Sequence, residues 1–78
     1  MEKFALGNRI RDARKARGLT SEELAELCGI GAVHIRKIEA GTKLPSMPLF
    51  VKLCNALKVS SKFLLQDSVE SDVIDLHG

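Results

Sequence analysis

Residues 21–40 read SEELAELCGIGAVHIRKIEA, from Ser21 to Ala40. Two short segments of helical apolar spacing flank Gly29-Ile30-Gly31, a break with room only for a tight turn between helices. Just upstream, Thr20-Ser21-Glu22-Glu23 has the pattern of a capping box: the Thr20 hydroxyl can accept from the Glu23 amide while the Glu23 carboxylate reaches back to the Thr20 amide. Leu24, Leu27 and Cys28 are expected on the inner face of the first of these helices. Ile35 and Ile38 are expected on that of the second, which runs from about Ala32 to Ala40 and stops at Gly41. Counted from Ser21, the fifth residue is Ala25, the ninth Gly29, the tenth Ile30, the fifteenth Ile35 and the eighteenth Ile38. Helices that cross steeply over so short a turn touch near the fifth position, where a side chain larger than that of Ala25 would push them apart. The turn needs a residue that accepts positive φ, and glycine does so without strain. Ile35 and Ile38 anchor the second helix from beneath and leave its other face open.

Helices joined in this register form a helix-turn-helix, an arrangement whose second helix enters the major groove of DNA. Around it, Leu6, Ile10 and Ala13 mark one stripe of a first helix from about Phe4 to Arg17, with Arg9, Arg11, Lys15 and Arg17 largely outside the stripe. Gly7 is a weak point expected to mark the first firm turn, and Gly18 fits a left-handed stop. After the loop Thr42-Lys43-Leu44-Pro45, Ser46 can cap a fourth helix that tolerates Pro48 in its first turn. Leu49, Phe50, Leu53, Cys54 and Leu57 give that helix a broad apolar face. Val59-Ser60-Ser61 turns the chain into a short fifth helix, Lys62-Phe63-Leu64-Leu65. No β-alternation is present, so the expected class is all-α. The expected division is a helix-turn-helix domain over residues 1–65 and an acidic tail over residues 66–78. In that tail Val69, Val73 and Leu76 are spaced as on an amphipathic helix, although a frayed end is equally compatible with the pattern.

Charge is distributed unevenly. Residues 1–43 carry nine Lys and Arg against six Asp and Glu, whereas residues 44–78 carry three against four. The basic excess gathers around the motif, which makes the first half the polyanion-facing one. With no Trp or Tyr and three Phe, an aromatic platform for single-stranded bases is not expected. Apolar runs fall short of the roughly 18–20 residues of a membrane span, so the expected compartment is the cytoplasm. Cys28 and Cys54 read as small buried hydrophobes, and with His34 and His77 they show no zinc-type spacing. No metal, cofactor or small-molecule ligand is expected. Without a Gly-rich phosphate loop, a nucleophile paired with a base or paired inward carboxylates, the chain does not read as an enzyme.

Arg9-Ile10-Arg11, Arg14, Gly18-Leu19-Thr20, Glu23-Leu24-Ala25, Gly29, Ile35, Ile38-Glu39, Gly41, Pro45-Ser46, Leu57 and Val59-Ser60 together resemble the phage-repressor-like, Cro/cI-type helix-turn-helix family, also called the xenobiotic-response-element family. The resemblance covers about residues 6–65. It implies a compact five-helix bundle, sequence-specific binding of double-stranded DNA, usually as a two-fold dimer, and transcriptional regulation. It also implies a largely buried ion pair between Arg14 and Glu39.

On this likeness Ala32, Val33, Arg36 and Lys37 face the bases. The first two can touch a thymine methyl, and Arg36 or Lys37 can donate to guanine O6 and N7. Phosphate contacts are expected from Ser21, Lys43 and the amides of the Gly41-Thr42-Lys43 loop, with Arg9 or Arg11 helping from the first helix and His34, turned toward the strand backbone, contacting phosphate or base. Two positions depart from the family pattern: Ser21 stands where a phosphate-gripping Gln is usual, and Gly31 where Ser or Thr caps the recognition helix. These losses leave a second reading open, a protein-interaction module that keeps the fold without DNA readout. A single recognition helix reads few base pairs, so a homodimer is expected. Its expected surface is the side of the fourth and fifth helices, with Leu44, Phe63, Leu65 and the tail residues Val69, Val73 and Leu76.

Overall fold

A computed structural model describes residues 3–65. The amphipathic segment expected over residues 66–78 lies outside the described residues. Five helices follow one another: α1 (Lys3–Ala16), α2 (Ser21–Cys28), α3 (Ala32–Glu39), α4 (Met47–Leu57) and α5 (Ser61–Leu64). The fold is all-α. The α2 helix packs on α3 and α4, and α1 packs on α3, α4 and α5. None of the helices among the described residues is long and apolar enough to cross a membrane.

Local chemistry sets where α2, α4 and α5 start. The Glu23 amide donates to Thr20 Oγ1 at 3.0 Å and the Thr20 amide to Glu23 Oε1 at 2.8 Å, so both halves of the capping box are formed. Ser46 accepts from the Leu49 amide and Ser60 from the Phe63 amide. Pro48 sits in the first turn of α4, where its missing N–H would have had no intrahelical partner. Gly31 offers no side chain to cap α3.

The first four helices end alike. In each, a residue with positive φ donates its amide to the carbonyl three residues back, and the next amide reaches the carbonyl five back. At the end of α2 these bonds are Gly29 to Glu26 at 3.2 Å and Ile30 to Ala25 at 3.0 Å. Gly18 and Gly41 do the same for α1 and α3. At the end of α4 the left-handed residue is Lys58, with φ of 57°.

The core draws on every helix: Leu6, Ile10 and Ala13; Leu24, Ala25 and Cys28; Ile35 and Ile38; Leu49, Phe50, Leu53 and Leu57; Leu64. Each fully buried Leu or Ile stabilises by about 1.5–3 kcal/mol relative to exposure. Ala25 is buried, in the helix that packs on α3.

Two expectations are corrected. Leu27 is not an inner residue of α2, since it is 60% exposed. At about 100° per residue, Leu24, Cys28 and Ala25 span one arc of the helix, and Leu27 falls beyond its edge. Gly7 does not mark the first firm turn of α1, which starts at Lys3; it is buried within the helix. A Cβ there would lie 2.5 and 2.6 Å from the carbonyl oxygens of Glu39 and Ile38. Glycine therefore lets the backbone of α1 approach the end of α3. The thiols of Cys28, which is buried, and Cys54, which is half-buried, are free. Burial pushes both pKa values up, opposed at Cys28 by the charge of Lys52 and at Cys54 by a backbone hydrogen bond. Burial thus disfavours the thiolate, the nucleophilic form, at both positions.

Candidate nucleic-acid interface

The position of α3 is set by a charged clamp. Arg14 Nε donates to Glu39 Oε2 at 2.7 Å and Nη2 to Glu39 Oε1 at 3.1 Å, while Nη1 donates to the Leu19 carbonyl at 2.9 Å. One guanidinium thus ties together α1, the loop into α2 and the end of α3. Relative exposure is 12% for the Arg14 side chain and 7% for that of Glu39. Two parallel bonds between ionised groups are strong and fix direction as well as distance. The hydrogen bond to Glu39 raises the Arg14 pKa above its ordinary value; burial opposes this, and the charges of Glu39 and Glu22 add to it.

With Ile35 and Ile38 buried, α3 turns Val33, Arg36 and Lys37 outward, Val33 being 61% exposed, while Ala32 is half-buried at its first turn. Arg36 is engaged in the free protein: its Nη2 pairs with Glu22 Oε2 on α2, with both side chains more than half exposed. Glu22 carries no signal of this role in the sequence. The two residues are fourteen apart, so no helical spacing connects them; only the packing of α2 on α3 does. Glu22 also lies close enough to Arg14 to favour its charge.

The expected phosphate contacts fall into distinct settings. Ser21 is half-buried at the first turn of α2, and Lys43 is exposed in the loop after α3. Thr42 is exposed, but its hydroxyl and its amide both donate to the Lys37 carbonyl at 3.0 Å. Its donors therefore brace the end of α3, and a phosphate could use them only by breaking that brace. His34 is half-buried, with Nε2 inside and without a hydrogen-bond partner; an outward contact would have to come from Nδ1. On α1, Arg11 donates to Asn8 Oδ1 at 2.7 Å, and Arg9 is half-buried.

This geometry has counterparts among known proteins. The helix-turn-helix family model matches residues 10–64. The HTH-type transcriptional regulator ImmR of Bacillus subtilis is 34% identical over 62 residues, covering 80% of this chain and 49% of ImmR. The chain therefore spans about half the length of this relative. Among solved structures, the restriction-modification controller protein C.AhdI from Aeromonas hydrophila superposes with a TM-score of 0.75 at 33% identity, over 78% of this chain and 92% of that one. The clp gene regulator ClgR from C. glutamicum superposes with a TM-score of 0.81 at 31% identity, over 91% of each chain. With the capped α2, the left-handed turn at Gly29 and the clamped α3 all inside the matched span, the chain belongs to the helix-turn-helix family.

Proposed function

We propose that the chain is a sequence-specific DNA-binding transcriptional regulator that seats α3 in the major groove. The carrying observation is the division of α3: Ile35 and Ile38 are buried, Glu39 is locked to Arg14, and Val33, Arg36 and Lys37 face solvent. A helix held this firmly on one side presents the other as a fixed template. Val33 and Ala32 suit thymine methyls, and Arg36 and Lys37 suit guanine. Ser21 and Lys43, with Arg9, Arg11, His34 and Thr42 in supporting places, are the candidate backbone contacts.

The working form proposed is a homodimer on half-sites about 34–36 Å apart. Exposed apolar side chains in α4, in α5 and in the loop before α4 support it: Leu44 at 37%, Met47 at 71%, Val51 at 50% and Phe63 at 42%. Leu65 is half-buried and packed against the core, so it has less to offer a partner.

Selection of bound sequences from random DNA tests binding, specificity and half-site symmetry together. Arg36→Ala and Lys37→Ala should each lose about 1–3 kcal/mol of specific affinity where the residue reads a base edge. An unchanged selected site in both variants would remove base reading from α3. An interaction module without DNA readout would bind mixed DNA at no salt concentration, whereas a DNA binder loses affinity steeply as salt rises.

A further inference from the structure

We infer that Glu22 is a positioning residue for DNA readout, holding Arg36 so that its guanidinium addresses one base step. This rests on the reading of α3 as the recognition helix. The pair links the first turn of α2 to the outward face of α3, with Arg36 54% and Glu22 65% exposed. An ion pair this open contributes little to folding, so its consequence is geometric. Arg36 carries a long side chain with several rotamers, and on a bare helix face its charge could take any nearby phosphate. Glu22 uses only Nη2. A guanidinium has five N–H donors in a fixed fork, so Nε and Nη1 stay available while the carboxylate keeps the plane oriented. Glu22 follows Ser21, a candidate phosphate contact, and its negative charge there repels the DNA backbone unless Arg36 offsets it. One carboxylate thus does two things: it selects the direction in which Arg36 donates, and it penalises complexes in which Arg36 leaves to bind a phosphate.

The test is Glu22→Gln, which keeps the shape and removes the charge, compared with wild type in two assays. In selection from random DNA, the guanine preference at the step read by Arg36 should fall by up to about fivefold, the factor that an exposed pair can supply. In a salt titration on mixed DNA, non-specific affinity should rise, with the slope of log affinity against log salt steeper by about one as Arg36 becomes free to take a phosphate. Both measurements are repeated in an Arg36→Ala background, where the change to Gln should leave the base preference unmoved. A selected site identical to wild type in Glu22→Gln would overturn the positioning role while leaving the regulator reading intact. An equal shift in the Arg36→Ala background would also overturn it, because Glu22 would then act on DNA without Arg36. Failure of the wild-type chain to bind mixed DNA at low salt would defeat the regulator reading itself and this proposal with it.

Discussion

Among the described residues, two arginine–glutamate pairs join α3 to its neighbours, and they occupy opposite surroundings. Arg14–Glu39 is nearly dry, bidentate and reinforced by the Leu19 carbonyl. Arg36–Glu22 is open to water and makes a single hydrogen bond. The chemistry is the same, but the dielectric is not. In the inner pair, water cannot replace a lost partner, so each group depends on the other. In the outer pair, water can replace either partner, so the pair adds little to folding and acts on the direction in which Arg36 donates. The inner pair therefore holds the recognition helix in place, and the outer one conditions what that helix presents.

Breaking the inner pair should give the largest effect. Glu39→Ala strands the Arg14 guanidinium in a site 12% exposed, which costs about 3–5 kcal/mol. Against a total of roughly 5–15 kcal/mol for a folded domain, much of the stability would be lost. Denaturant unfolding followed by circular dichroism checks this, and a midpoint equal to wild type would show that the pair is not coupled to folding. Replacing both members with apolar residues, as in Arg14→Met with Glu39→Leu, should recover much of the loss. A double variant no better than the single one would locate the cost in lost geometry rather than in the unpaired charge.

Next in size is Gly7→Ala. The inner pair stays dry because α1 lies close to the end of α3, and Gly7 is where their backbones nearly touch. The new Cβ would sit 2.5–2.9 Å from the Glu39 and Ile38 main chain, which cannot swing aside as a side chain can. Alanine favours the helix by about 1 kcal/mol over glycine, yet lifting α1 from α3 should cost more, in the range of about 1–3 kcal/mol for overpacking. The net change is a lower melting temperature. A raised one would mean that the two helices separate readily and that Glu39 does not need this contact.

The two pairs also differ in how legible they are in the amino-acid sequence. The capping box at Thr20, the turn at Gly29 and the buried stripes of α1 and α4 depend on neighbours in the chain, so spacing alone reveals them. The pairing of Arg14 with Glu39 spans twenty-five positions, and only family likeness points to it. Glu22–Arg36 has no such guide. The contact at Gly7 is also long-range, and a glycine early in a helix reads as weakness when the backbone it faces is unknown. Leu27 shows that apolar character implies burial only where another element covers that side. Lys58 gives no signal of its left-handed backbone, since the other three such ends use glycine.

The smallest expected effect is on the stability of the outer pair, and its smallness is what lets the DNA measurements be interpreted. Glu22→Gln and Arg36→Ala should each change folding stability by no more than about 0.5 kcal/mol, as for other surface replacements. A double-mutant cycle on the two positions should give a coupling of roughly 0.2–1 kcal/mol at low salt. At 1 M salt the screening length falls to about 3 Å, and the coupling should fall toward zero. The reason lies in exposure: with each side chain more than half open, the attraction competes with hydration already available to both charges. Denaturant midpoints for the four proteins of the cycle, at low and high salt, decide the matter. A coupling above about 1.5 kcal/mol that survived high salt would make the outer pair a second structural clamp. The altered DNA preference of Glu22→Gln would then reflect a displaced α3 rather than a released Arg36.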